Sequence, residues 1–327
     1  MKNSGPEIDN ILKVLKEKQR FLITSHKDPD GDSIGSQLGL YLALAAKGKE
    51  VAIVNQGGMP GKYDFLDKEG LIRFTPDPPP FIPDVVIILE CPQRDRIGFV
   101  ESLIPQSAII LNIDHHLGNE NYGDIKFIDP KACAVAELLF FILLKGEYPI
   151  TPPIAEKLYT AIMTDTGNFR FASTSEQGMK VAAELIGAGA NPKMIFDNVY
   201  GKAAAATIKL LGKTLDTLRL TPNGNIGFMA VTQENINRAG ARIEDSEGFV
   251  DYSIAVIGVK MGLLFKEMNP DEIKISVRSQ NGIDAAGFAR LFDGGGHINA
   301  AGFTVRKRLD DAIRMVLARA EEYLHAA

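Results

Sequence analysis

Over its first two hundred residues the chain alternates short apolar runs with longer segments whose apolar positions recur at helical spacing. Residues 20–25 (RFLITS) read as a strand ending in a polar cluster, and 34–46 follow with the periodicity of a helix. The alternation continues. Residues 51–55, 85–89 (VVIIL) and 108–113 (AIILNI) are predicted strands, and 132–144, 154–165 and 176–188 are predicted helices. Runs this apolar and β-branched suit strands covered on both faces, so the pattern predicts an α/β fold with a doubly wound, mainly parallel sheet. The proline-rich stretch 75–83 is predicted to be a rigid loop inside this domain, because the strand pattern resumes directly after it.

Beyond residue 190 the pattern changes. Asn191-Pro192 closes a helix, 203–215 reads as a connecting helix, and strands then dominate at 217–220, 227–231, 256–265 and 273–278. Asn223-Gly224 marks a hairpin between the first two of these. Helical patterns at 247–254, 285–292 and 310–323 complete a smaller mixed α/β domain. The expected organisation is a domain over 1–190, a helical linker over 191–215 and a second domain over 216–327. The length of 327 residues fits two domains, since single cores tend to split beyond roughly 250–300 residues.

Composition narrows the class. With 45% hydrophobic and 24% charged residues, the chain has the material for a core and is too apolar for intrinsic disorder. No apolar run approaches the roughly 18–20 residues of a membrane span, 132–144 is interrupted by Glu137, and the opening residues are polar. A cytoplasmic location is expected. Two cysteines, Cys91 and Cys133, without CxxC spacing agree with a reducing compartment. The net charge of −5 comes from an acidic surplus in the first two hundred residues. That excludes a uniformly basic nucleic-acid binder but not a local anion site beside bound cations.

Four polar clusters fall at the ends of predicted elements in the first domain. His26, Asp30 and Asp32 lie in HKDPDGDSIG between the first strand and the first helix, where open α/β sheets bind ligands. Asp and Ser also suit a helix N-terminus, yet carboxylates this close repel unless cations neutralise them, and His26 adds a nitrogen donor. Glu90 follows the strand 85–89. Asp114-His115-His116 follows 108–113, with Asp114 able to orient an adjacent imidazole, and Asp165 ends the helix 154–165 beside Gly167. Imidazole and carboxylate donors without thiolate suit Mn²⁺ or Mg²⁺, with Zn²⁺ or Co²⁺ as further options, and there are more donors than one ion needs. Two ions sharing a bridging carboxylate would activate a water and hold a phosphoryl oxygen. Removal of one of these mutually repelling carboxylates, Asp32, is expected to leave the fold intact. In the second domain, Gly294, Gly295, Gly296 and His297 form a loop whose amides can approach an anion, and Arg278 at a strand end offers a bidentate grip on phosphate.

The motifs HKDPDGDSIGS, LECPQRDRIG, IDHH, TDTGNFRF, EGFVDY, KISVRS and GGGHINAAG, in this order and placement, resemble those of the DHH/DHHA1 phosphoesterases. Within that family they resemble the short-oligonucleotide hydrolases termed nano-RNases, over nearly the whole chain. The resemblance implies one Mn²⁺ held by His26, Asp30 and residue 90, and a second held by Asp32, residue 90, His115 and Asp165. It implies that His116 contacts the scissile phosphate and protonates the leaving oxygen, with Asp114 grouped beside it as catalytic. Arg278 and the segment of Gly294, Gly295, Gly296 and His297 would grip the terminal phosphate or nucleotide. The family usually has Asp where this chain has Glu90, and the added methylene exceeds the roughly 0.5 Å tolerance of a preorganised site. A shifted strand end, another bridging mode or a weaker hold on one ion would each accommodate it.

The expected activity is hydrolysis, by a water activated by two Mn²⁺ (Mg²⁺ or Co²⁺ as alternatives), of short oligoribonucleotides to mononucleotides and of 3′-phosphoadenosine 5′-phosphate to AMP. The substrate would lie between the two domains. Expected partners are short single-stranded RNA or small nucleotides, with no membrane and no obligate protein partner; a homodimer is compatible. Two other readings are a phosphodiesterase for linear or cyclic dinucleotide messengers, and a nucleotide-binding module whose metal site is impaired by Glu90.

Overall fold

The computed structural model describes residues 5–280 and 282–326, and the chain divides into two compact units, Met1–Lys202 and Ala203–Ala327. The first unit runs α1 (Pro6–Glu17), β1 (Arg20–Thr24), α2 (Gly31–Ala46), β2 (Glu50–Val54), β3 (Ile72–Arg73), β4 (Val85–Leu89), β5 (Ile109–Asp114) and β6 (Ile125–Ile128). It continues with α3 (Val135–Lys145), α4 (Pro152–Asp165), α5 (Glu176–Gly187) and α6 (Pro192–Val199). The six strands are all parallel, in the order β3-β2-β1-β4-β5-β6. Every residue of β4 and all but the first of β1 are buried, which is why these strands read as continuous apolar runs. The winding reverses between β1 and β4, and the crevice beyond the C-terminal ends of such a pair is where doubly wound sheets bind ligands.

Two features were hidden in the sequence. The polar opening residues conceal α1, which buries Ile8, Ile11, Val14 and Leu15 at helical spacing. Glycines at every fourth position of α2 let α4 pack directly on its backbone. A Cβ at Gly31 would collide with Thr164, one at Gly35 with the Lys157 carbonyl and one at Gly39 with Leu158. That close approach carries the C-terminal end of α4, where Asp165 sits, to the N-terminal turn of α2.

The second unit runs α7 (Ala205–Leu215), β7 (Arg219–Leu220), β8 (Ile226–Val231), α8 (Gln233–Ala239), α9 (Val250–Ile254), β9 (Met261–Asn269) and β10 (Glu272–Ser279). It ends with α10 (Ala285–Arg290), β11 (Gly295–His297), β12 (Ala300–Val305) and α11 (Leu309–Ala326). Its sheet has the order β11-β12-β10-β9-β8-β7, with β8 and β9 parallel and the other pairs antiparallel, so the unit is mixed α/β as expected. Ile273, Ile275 and Val277 of β10 join Phe265 and Phe303 in a core that includes Phe288 of α10 and Val316 of α11. The β7–β8 hairpin turns through Gly224 at φ +71°. The strand expected at 256–265 begins only at Met261, because the chain leaves α9 through a turn with Gly258 at φ +89°. Among the described residues no helix is long and apolar enough to cross a membrane.

Candidate metal centre

The site is built where β1, β4 and β5 end. His26 lies two residues beyond β1, and its Nε2 is 2.6 Å from Glu90 Oε2 and 3.0 Å from Ser33 Oγ. Asp30 caps the N-terminus of α2, accepting a hydrogen bond from the Ser33 amide at 2.9 Å. Glu90 directly follows β4 and is 2% exposed. Its backbone lies in the left-handed region at φ +54°, uncommon for a residue other than glycine or asparagine. In that conformation the Glu90 carboxylate accepts from Ser33 Oγ at 2.9 Å and faces His115 Nε2 at 3.8 Å and His116 Nε2 at 3.5 Å. The longer side chain thus reaches groups contributed by β1, α2 and β5 together.

Asp32 is fully buried in the first turn of α2. Its Oδ2 accepts from the Val135 amide at 2.6 Å, and its Oδ1 accepts from the Ala136 amide at 3.1 Å and from Ser36 Oγ at 2.8 Å. Asp32 is therefore also the cap of α3, whose own N-cap, Ala134, has no side chain to offer. This corrects the expectation that its removal is structurally neutral: the buried amides of Val135 and Ala136 would lose their acceptor.

At the end of β5 the adjacent histidines divide their work. His115 Nδ1 donates to the Ala132 carbonyl at 3.1 Å, which leaves Nε2 3.5 Å from Asp165 Oδ2. His116 Nδ1 bonds Asp114 Oδ1 at 2.8 Å, and its Nε2 faces Glu90. Asp114, expected as catalytic beside His116, is fully buried and accepts from the amides of His115 and His116 and from Asn119 Nδ2 at 2.6 Å. With both oxygens committed to protein donors, Asp114 orients His116 rather than meeting a ligand itself.

Among the described residues, three groups bring one ligand atom per residue within 4.8 Å of one another: His26, Asp30 and Glu90; Asp32, His115 and Asp165; and Glu90, His115 and His116. Glu90 and His115 each belong to two of them, so the groups form one cluster. Electrostatics explain why such a cluster invites cations. Burial pulls His115 down, but Glu90, Asp165 and Asp32 lift it to about 11. Burial and the Glu90 charge push the Asp32 carboxyl up to about 7, and burial together with Asp32 and Asp30 raises Asp165 against the opposing effect of His115. Burial would raise Glu90 as well, yet His115, His26 and His116 hold it well below the usual carboxylate range. These acids are balanced only by positive charge, and divalent cations can displace the protons that otherwise supply it. Imidazole and carboxylate donors fit Mn²⁺ or Mg²⁺.

In the second unit, Arg278 Nε donates to Asp251 Oδ1 at 3.0 Å, and the Arg278 side chain is 31% exposed. The glycine run is not an open loop. Gly295, Gly296 and His297 form the edge strand β11, paired with Gly302, Ala301 and Ala300. A Cβ at Gly294 would strike Phe303, and one at Gly296, with φ +146°, would strike Ala301, so these glycines are required by close strand packing. The His297 side chain lies outside the described structure; its backbone shares a row of the sheet with Ala300 and Arg278.

Sequence reasoning missed the supporting polar groups. Ser33 touches both His26 and Glu90 and also accepts from Ser25 Oγ at 3.0 Å. Buried Asn55 at the end of β2 accepts from the Ser25 amide at 3.1 Å and donates to Gln37 Oε1 at 3.0 Å, tying the loop after β1 to α2. An asparagine directly after an apolar strand, like Glu90 after β4, was the available signal.

Residues 20–162 match the DHH family, N-terminal domain, and residues 225–326 match the DHHA1 domain. The chain is 34% identical to the bifunctional oligoribonuclease and PAP phosphatase NrnA of Thermus thermophilus, over 97% of this chain and 94% of that protein. It is 26% identical to the bifunctional oligoribonuclease and PAP phosphatase NrnA of Bacillus subtilis, over 90% of this chain and 92% of that one. Among solved structures, an exopolyphosphatase-related protein from Bacteroides fragilis matches with a TM-score of 0.91 at 28% identity, covering 97% of this chain and 96% of the other. Fold, site and likeness together define a phosphoester hydrolase. Its family is specific: the chain belongs to the DHH/DHHA1 phosphoesterases.

Proposed function

We propose that this enzyme hydrolyses short oligoribonucleotides to mononucleotides and converts 3′-phosphoadenosine 5′-phosphate to AMP, working with two divalent cations, Mn²⁺ foremost. The names of its relatives support the substrates. The observation that carries the reading is the pair of donor groups, His26 with Asp30 and Glu90, and Asp32 with His115 and Asp165, joined through Glu90 and His115. In this reading each group would hold one cation, with Glu90 within reach of both. Bound there, the cations supply an activated water and neutralise charge on the phosphoryl oxygens. His116, its Nδ1 fixed by Asp114, directs Nε2 at the reacting phosphate and passes a proton to the leaving oxygen. In the second unit Arg278 holds the substrate's terminal phosphate, and the outer side of the edge strand of Gly295, Gly296 and His297 offers backbone amides to it.

The test is a substrate panel on chelator-treated protein reloaded with Mn²⁺, Mg²⁺ or Co²⁺: dinucleotides, five-nucleotide RNA, long RNA, 3′-phosphoadenosine 5′-phosphate and pyrophosphate. Mononucleotide and AMP release restored by Mn²⁺, with metal content near two ions per chain, is the expected result. Failure to cleave both the dinucleotide and the bisphosphate would overturn the proposal.

A further inference from the structure

Beside the metal centre lies a strained segment that none of the proposed ligands uses. After α4 the chain passes through three successive left-handed residues, Gly167 at φ +57°, Asn168 at +60° and Phe169 at +62°. Left-handed backbone is costly for a bulky side chain, and such strain persists where surrounding contacts enforce it. Thr166 enforces it here. Its carbonyl accepts from the amides of Arg170 at 3.1 Å and Phe171 at 3.0 Å, and its Oγ1 accepts from the Phe169 amide at 3.1 Å. The turn gives its two phenyl rings different surroundings. Phe169 tilts against Tyr159 with centroids 5.9 Å apart and packs on the core. Phe171 lies against Gly167, where any Cβ would run into the ring, and stays 48% exposed, with the Arg170 guanidinium 5.4 Å from its centroid.

Gly167, against which the Phe171 ring rests, is two residues from Asp165, whose carboxylate faces His115. We propose that the Arg170–Phe171 pair is a stacking platform for the nucleobase of the nucleotide whose phosphate is being hydrolysed. This rests on the nucleotide substrates proposed above. Aromatic rings and guanidinium planes stack on any base, which suits an enzyme that takes short RNA of mixed sequence. The platform also separates nucleotide substrates from inorganic phosphate chains, which have no base to place on it.

The experiment compares wild type, Phe171→Ala and Phe171→Tyr on a dinucleotide and on the same dinucleotide with an abasic residue, all loaded with Mn²⁺. Phe171→Ala is expected to raise KM for the intact dinucleotide about tenfold while leaving kcat within about twofold. The abasic substrate should be unaffected, and Phe171→Tyr should restore KM. In parallel, 2-aminopurine riboside 5′-monophosphate added with Mg²⁺ should lose fluorescence on binding to wild type and to Phe171→Tyr but not to Phe171→Ala. An equal change for both substrates would show that Phe171 only braces the turn, and no change for either would also overturn the platform. Failure of wild type to cleave any dinucleotide would sink the substrate assignment instead, and the fluorescence readout would still decide on stacking.

Discussion

The two units hold their candidate groups in opposite ways. In the first, Asp32, Glu90 and Asp114 are buried and each is engaged by several protein donors. In the second, Arg278 is partly exposed with Asp251 beside it, and the glycine run lies on a sheet edge. A group built into the core serves fold and chemistry at once, so changing it disturbs both. A surface group holds no such place in the core and can be changed alone. The largest expected effect follows directly. Asp32→Ala should abolish turnover and also lower stability by about 2–6 kcal/mol, since two buried amides lose their acceptor at about 1–3 kcal/mol each. A thermal scan should show a midpoint lower by several degrees, and Asp32→Asn, which keeps one acceptor oxygen but turns its NH2 toward the other amide, should recover only part of the stability, without the activity. An unchanged midpoint in Asp32→Ala would break the idea that site and core coincide.

Glu90 sharpens the contrast. Its left-handed backbone and long side chain together bring one carboxylate to Ser33, His26 and His115. Shortening it should cost reach. Glu90→Asp is expected to lower turnover and Mn²⁺ affinity at least about 10–100-fold, the cost usual even for a lost outer contact at a metal site, as read by activity against Mn²⁺ titration. A gain in turnover would show instead that the native bridge is impaired. Arg278→Ala should behave as a surface change does. KM for a dinucleotide should rise about tenfold, as loss of a charge-assisted hydrogen bond requires, while the thermal midpoint stays within about a degree.

The same contrast governs what was readable beforehand. Strands β1, β4 and β5 were legible because parallel strands buried on both faces must be apolar runs, and polar residues just past such runs stand out. His26, Glu90, Asp114 and His115 were found that way. The second role of Asp32 was not legible: its acceptor bonds go to amides more than a hundred residues further along the chain, a pairing only the packing of α3 on α2 creates. The Gly295 to His297 segment was misread as a loop because glycine disfavours strands, whereas here close approach of β12 demands it at Gly296. Nor does any local pattern announce the left-handed conformations: at Glu90 groups from β1, α2 and β5 hold the carboxylate, and at Phe169 the Thr166 hydroxyl and carbonyl hold the turn.

The smallest expected effect lies at the opposite end of the sheet from the candidate metal centre, where β1 begins. Asp84, next to the start of β4, accepts from Arg20 Nη2 at 2.8 Å and from the Arg20 amide at 3.0 Å, and the Arg20 side chain holds its carboxyl down to about 2. A carboxyl depressed in the folded state adds stability that is fully present above the unfolded value near 3.9 and is lost as pH falls toward the folded value. The pair is partly solvated, so its worth is below about 1 kcal/mol. Urea unfolding of wild type and Asp84→Asn should therefore differ slightly and constantly from pH 7 down to about pH 5, and the difference should shrink as pH drops from about 4 toward 2. A gap that widened with acidity would have the wrong sign for a depressed carboxylate, and one that stayed constant down to about pH 2 would show Asp84 acting through its hydrogen bonds to the start of β1 rather than through its charge.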